Sequence, residues 1–157
     1  MYQFEFITVG KLKHGPHKEL VDEYEKRLGQ YANIEHTVVA EERFDSQNQR
    51  ERVLKKEADR IRKKISRDAF SILLSEDGKL FRSKHFALKL SKWSENERRN
   101  IQFITGGPLG VDRSLQNDVD FTLSLSPLTM PHDLAQVVLL EQVYRAMTIL
   151  KGKTYHY

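Results

Sequence analysis

The chain contains no cysteine, which excludes disulfides and every thiolate-based metal site. No apolar run approaches the roughly 20 residues that cross a bilayer. Its first nine residues, Met1-Tyr-Gln-Phe-Glu-Phe-Ile-Thr-Val9, alternate as a strand does and lack the charged start and apolar centre of a signal peptide. Internal repeats and low-complexity segments are missing too. These absences lead to the expectation of a cytoplasmic protein with no membrane partner. The 157 residues, 39% hydrophobic and 31% charged, suit one solvated globular domain spanning residues 1–157, since domains commonly run to roughly 100–200 residues.

What charge there is leans positive, with a net +4. That permits an RNA partner without requiring one. Nine Lys or Arg residues fall between Arg50 and Arg67, against Glu51, Glu57 and Asp59. A solvated helix face is the favoured reading; a phosphate footprint would require these side chains to lie near a ligand site.

Patterning predicts alternating strands and helices. Tyr2, Phe4 and Phe6 share one face of a strand over residues 2–9. Pro16 opens a helix with an apolar stripe of Leu20, Val21, Tyr24 and Leu28, which Gly29 stops. Residues 34–40 read as a strand, and Leu54, Ala58, Ile61 and Ile65 mark a helix over 49–65. The nearly all-apolar residues 69–75 suit a strand covered on both faces, followed by a turn at Glu76-Asp-Gly78. Ser83 can cap a helix whose inner face is Phe86, Ala87, Leu90 and Trp93. A strand over 101–105, a short helix over 112–117, a strand over 121–126 and a long helix from Pro131 or His132 to Leu150 complete the chain. Such alternation argues for an α/β fold with a mostly parallel sheet flanked by helices.

Ligands in open parallel sheets bind beyond the carboxyl ends of the strands. Three ends therefore matter: Leu74-Ser75, Thr105-Gly106 and Leu125-Ser126. Gly106-Gly-Pro-Leu-Gly110 lacks the Gly-Lys-Ser/Thr ending of a P-loop and the first glycine of a dinucleotide fingerprint. It suits a tight strand-to-helix turn as well as a loop that offers backbone groups to a flat ligand. Leu125-Ser-Pro-Leu-Thr-Met-Pro-His132 is too apolar for an exposed linker and is expected to be buried. Its backbone groups must then be satisfied either by threading through the fold or by a ligand.

Gly-Gly-Pro-x-Gly, Ser-x-Ser-x-x-Thr-x-Pro-His, Glu-Gln-x-Tyr-Arg-Ala and a terminal Tyr-His together resemble the ribosomal RNA large subunit methyltransferase H family, one of the SPOUT or α/β-knot methyltransferases. The match is dense over residues 101–157 and continues through Val9-Gly-Lys-Leu-Lys13 and Glu23-Tyr-Glu-Lys-Arg27. The resemblance implies a C-terminal deep trefoil knot, a homodimer and S-adenosyl-L-methionine as cofactor. It further implies N3 methylation of a pseudouridine in 23S rRNA, on assembled ribosomes. Carried onto this chain, the cofactor would be held by Leu74, Gly106, Leu125, Ser126, Pro127, Leu128, Thr129 and Met130.

Methyl transfer from a sulfonium is an in-line displacement, so positioning does most of the work. An imide nitrogen must also lose its proton, which calls for a base or a stabilising cation. His132, Tyr155 and His156 are the candidate catalytic groups. No metal is needed, and His14 and His17 lack a third ligand for one. Glu141 and Arg145 are read as an i,i+4 pair, and Tyr144 as core or interface.

Two positions depart from the family pattern. Gln136 stands where members usually carry Arg, and Tyr157 where Arg or Lys commonly follows the terminal Tyr-His. Both remove a positive charge from the expected substrate side. They motivate a rival, a knot-fold RNA-binding protein that keeps the cofactor pocket without turnover. The glycine loop alone motivates a second, an unrelated nucleotide-binding enzyme.

Overall fold

A computed structural model describes residues 1–95 and 100–155. The elements in order are β1 (Tyr2–Val9), α1 (Pro16–Leu28), β2 (Ala32–Val39), α2 (Arg50–Arg62), β3 (Ala69–Lys79), α3 (Ser83–Glu95), β4 (Asn100–Thr105), β5 (Phe121–Leu123) and α4 (His132–Leu150), with 3₁₀ turns at Gln47–Gln49 and Arg113–Asn117. The strands form one sheet in the order β2-β1-β4-β3-β5. Every pairing is parallel, as the α/β reading requires.

Strand alternation divides the core into two layers. Phe4, Phe6, Ile72, Leu74, Ile101, Phe103 and Leu123 face α1, α3 and α4. Ile7, Val9, Val39, Leu73 and Ile104 face Ala58 and Ile61 of α2 and Leu115 of the second 3₁₀ turn. Helix α4 packs against both α1 and α3, burying Val137, Leu139, Leu140, Val143, Ala146 and Met147. Each such side chain contributes roughly 1.5–3 kcal/mol. A single Phe103→Ala change, at a ring stacked on Phe6 and edge-on to Phe4, costs about 3–5 kcal/mol.

A polar plug closes the α2 side at the start of the strands. Gln102 is buried. It donates to Glu5 Oε2 at 2.7 Å and to the Lys64 carbonyl at 3.0 Å, and accepts from the Ser66 N–H at 2.9 Å. Its amide is thus satisfied at both ends, as a buried amide must be.

Three local expectations are corrected. Leu20 is 44% exposed; Val21 and Leu28 carry the buried face of α1, because the helix is rotated by one position from the apolar stripe. Gly29 does stop α1 as expected, as its C-cap in right-handed backbone with φ −55°. Glu76-Asp-Gly78 is no hairpin-like turn. Residues 75–79 leave the ladder and return to it, since both Leu74 and Lys79 pair with Leu123. The Ser124 N–H then donates to the Lys79 carbonyl at 3.0 Å. Gly78 passes so close to this strand end that a Cβ there would lie 2.7 Å from the Ser124 nitrogen, a distance only glycine avoids. β5 is correspondingly short, ending at Leu123 rather than residue 126.

Candidate active site

A cavity of about 870 Å³ opens beyond the carboxyl ends of β3, β4 and β5. Its volume falls within the roughly 300–1,000 Å³ typical of small-molecule sites. Leu74 to Asp77 form one wall, Thr105 to Arg113 another, and Leu125, Leu128, Thr129, Met130, His132 and Ala135 a third; α2 adds Arg50, Glu51 and Leu54. All three strand ends singled out in the sequence thus meet at one place. Ser126 and Pro127 are not part of the wall.

The glycine loop is folded on itself. The Gly110 N–H donates to the Gly107 carbonyl at 3.0 Å, and Gly110 adopts φ 89°, a left-handed conformation that favours glycine. A Cβ on Gly106 would lie 2.6 Å from Val111 Cγ1, so any side chain there would push the loop open. Arg50 donates from Nη2 to the Leu109 carbonyl at 3.1 Å, tying the loop to α2.

Beneath the same loop lies Glu57, a residue the sequence reading counted only as a countercharge. It is 3% exposed, and a Cβ on Gly107 would sit 3.4 Å from either carboxyl oxygen. Its Oε2 accepts from the Glu42 N–H at 3.2 Å, and its Oε1 has no hydrogen-bond partner among the described residues. Burial pushes the Glu57 pKa up, against the Glu42 N–H, which lowers it. The spacing Val53, Glu57, Ile61 was the available signal, since it places Glu57 on the buried stripe of α2.

The loop from Leu125 to Met130 is not buried, contrary to expectation. Pro127, Leu128 and Thr129 are exposed, Leu128 by 78%. Its backbone is satisfied by solvent and by the Ser126 hydroxyl, which accepts from the Leu128 N–H at 3.0 Å. Leu128 and Met130 line the open cavity, and Leu125 both lines it and packs against the core. Just before this loop, Ser124 is buried and its hydroxyl has no partner among the described residues.

His132 is the first residue of α4 and stands half-buried in the cavity wall. Beside it, Asp133 pairs with His17 Nδ1 at 3.0 Å. Partial burial works against ionisation of Asp133, but the Leu134 N–H and the neighbouring His17 and His132 outweigh it, and its pKa lies below the ordinary value. Among the described residues no cluster of three or more His, Asp or Glu could hold a metal. Gln136 is buried, one turn on from His132 and off the cavity wall.

Tyr155 is elsewhere. Its hydroxyl donates to Glu141 Oε1 at 3.3 Å, its ring meets Tyr144 edge-on at 4.8 Å, and Arg145 lies over its face at 4.9 Å. Burial first, then hydrogen bonding to Tyr24 and the proximity of Glu141, push its pKa up to about 12. Glu141 is nine residues from His132, about 14 Å along the helix at 1.5 Å per residue. Within one chain, therefore, His132 and Tyr155 do not share a site. His156 and Tyr157 lie outside the described residues. The Glu141–Arg145 pair is present as expected, with Arg145 Nη2 2.6 Å from Glu141 Oε1, and Tyr144 packs among Tyr24, Tyr31 and Tyr155.

The basic helix is largely neutralised within the fold. Arg52, Lys56 and Arg60 converge on Glu42, and Arg62 pairs with Asp59 and Asp118. The solvated-face reading of these cations holds, apart from Arg50 at the cavity.

The family model described as "Predicted SPOUT methyltransferase" matches residues 2–156. The chain belongs to the SPOUT methyltransferase family. Within that family it is 41% identical to the ribosomal RNA large subunit methyltransferase H of Streptococcus suis over 157 residues, covering 98% of this chain and 99% of the relative. It is 42% identical to the protein of that name from Ruminiclostridium cellulolyticum, covering 95% and 96%. A putative ribosomal RNA large subunit methyltransferase H from Methanococcus maripaludis is 38% identical, with 96% of each covered. Among solved structures, a probable methylase family protein from Haemophilus influenzae superposes with TM-score 0.54 at 12% identity, covering 99% of this chain and 70% of the other; that likeness concerns the fold alone. SPOUT methyltransferases generally use S-adenosylmethionine, and the cavity suits such a group. Its apolar side chains at Leu74, Leu125, Leu128 and Met130 suit a flat heterocycle, and Glu76 and Asp77 line a side where a cationic sulfonium or ammonium would be favoured.

Proposed function

We propose that this chain methylates N3 of a pseudouridine in 23S rRNA within the assembled ribosome, acting in the cytoplasm as a homodimer. The observation that carries the reading is the convergence of three strand ends, the glycine loop and His132 on one cavity. Near full-length similarity to relatives named for rRNA methylation supports it. S-adenosylmethionine supplies the methyl group when bound.

Leu74, Gly106, Leu125, Leu128, Thr129 and Met130 hold the cofactor, with Ser126 and Pro127 shaping the loop behind them. His132 faces the reacting nitrogen and takes its proton or stabilises the resulting anion. Tyr155 and His156 of a second copy complete the substrate side, because Tyr155 sits about two and a half turns along α4 from its own cavity. The wrap of residues 75–79 around the end of β5 supports a threaded, knotted C-terminal region in a single domain.

Labelled-methyl transfer to ribosomes lacking the modification tests the proposal. Incorporation at one large-subunit pseudouridine is expected, and no incorporation despite cofactor binding by calorimetry would overturn it. That outcome would favour the second reading, a retargeted or non-catalytic RNA-binding protein, which Gln136 and Tyr157 motivate. Raised turnover in a Gln136→Arg variant would show that the missing charge limits activity, and unchanged turnover that the charge is supplied elsewhere.

A further inference from the structure

A second cavity, of about 520 Å³, lies beside the first and is lined by Lys79, Leu80, Phe81, Arg82, His85, Leu88, Lys89 and Lys92. We infer that it binds the sugar-phosphate backbone of the RNA strand flanking the methylated nucleotide. The inference rests on the proposed function and extends it to a second surface.

Charge is the first observation. Lys79, Arg82, Lys89 and Lys92 contribute four full positive charges, His85 a fifth when protonated, and no acidic side chain lines the cavity. Among the described residues none of these four enters an ion pair. The contrast with α2 is direct, since Arg52, Lys56 and Arg60 there are consumed by Glu42. Cations left without carboxylates in a concavity are available to phosphates.

Shape and apolar character are the second. His85, Leu88, Lys89 and Lys92 recur at helical spacing on the side of α3 opposite buried Phe86, Leu90 and Trp93. Leu80 and Leu88 are 54% and 64% exposed, and Lys79 Nζ sits 5.5 Å from the centre of the Phe81 ring. An apolar floor with an aromatic edge suits unstacked bases as much as the cations suit their phosphates.

Continuity is the third. Residues 74–77 line the first cavity and 79–82 the second, so one segment of chain joins them. An RNA whose target base enters the first cavity has its neighbouring phosphates carried over the second.

The test compares Lys89→Ala/Lys92→Ala with Lys63→Ala/Lys64→Ala. The latter removes two exposed charges near the start of β4, where the Lys64 carbonyl meets Gln102, at the far end of the sheet. Binding to protein-free large-subunit rRNA is measured across a salt series, with KM and kcat on ribosomes and S-adenosylmethionine affinity by calorimetry. The α3 variant is expected to raise KM for ribosomes about tenfold and to flatten the log–log salt dependence by roughly 1.5–2. Its kcat and cofactor affinity should stay unchanged, and unchanged cofactor affinity also shows that it is folded. Equal effects in the two variants would overturn the inference. So would weakened binding to ribosomes with unchanged binding to bare rRNA, which would assign the cavity to a ribosomal protein. A wild-type chain inactive on ribosomes that still shows the lysine-dependent salt slope would remove the catalytic reading and leave this surface standing.

Discussion

The two ends of α4 are built differently. At its start, His132 joins a cavity walled by the ends of β3, β4 and β5 and by α2. At its end, Tyr155 is held by Tyr144, Glu141 and Arg145 on the helix itself. The first end has the parts of a binding site, and the second has an aromatic side chain presented outward. The difference teaches that the cavity gathers its walls around the start of α4, whereas the far end of the helix spends its polar and aromatic groups on Tyr155.

The largest effect is expected where the self-contained end is broken. Gly106→Val forces a Cβ into Val111, opening the glycine loop; S-adenosylmethionine affinity measured by calorimetry should fall roughly a hundredfold, about 2.7 kcal/mol. His132→Ala should leave that affinity within a fewfold and lower kcat by roughly 10²–10⁴, separating binding from chemistry at the same end of the helix.

The comparison is sharpened by mixing subunits. If the substrate side crosses between copies, His132→Ala and Tyr155→Ala homodimers are each impaired. Co-folding them in equal amounts should then restore roughly a quarter of wild-type activity, because half the dimers are mixed and each of those carries one intact site. Restored activity near zero would place both residues in one site of one chain.

Smaller effects concern stability. Burial raises the Glu57 pKa above its ordinary 4.5, so the protonated form is favoured by the fold. Its contribution is full below about pH 4.5 and is lost as pH rises through the raised value. Glu57→Gln removes that loss. Its thermal midpoint should exceed that of the wild type by a few degrees at about pH 8, and the gap should close on acidification to about pH 4. At the other end, Arg145→Met should cost only about 0.5–1 kcal/mol in chemical denaturation, as partly exposed i,i+4 pairs do.

Much of this arrangement was legible in the chain. The end of β4 at Thr105, the glycine loop and the start of α4 at His132 follow from local patterns and lie where the patterns put them, whereas β3 runs on to Lys79 and β5 stops at Leu123. Gly78 was misread because its reason is not local: it is small to admit residues 123 and 124 from elsewhere in the sequence. The apolar loop ending at Met130 was expected inside, since composition cannot distinguish a side chain that packs in the core from one that walls an open cavity. Leu20 misled for a related reason, as a helix stripe fixes a face only to within one position. Glu57 was readable from its spacing with Val53 and Ile61, but a carboxylate was weighed by its charge instead of its place. The tail was the hardest part, because the contacts of Tyr155 with Glu141, Tyr144 and Arg145 depend on the chain folding back along α4, which no local pattern encodes.

The close passage at Gly78 also constrains the order of assembly. Lys79 and Leu123 are separated by about 45 residues, yet the strand between 121 and 123 is anchored on both sides of the detour made by residues 75–79. β5 therefore has no complete edge to dock on until that detour has taken shape. During synthesis the first four strands emerge well before residue 123, so the shape-defining segment can wait for the strand it encloses. The sheet is then completed late at one edge, by β5 beside β3.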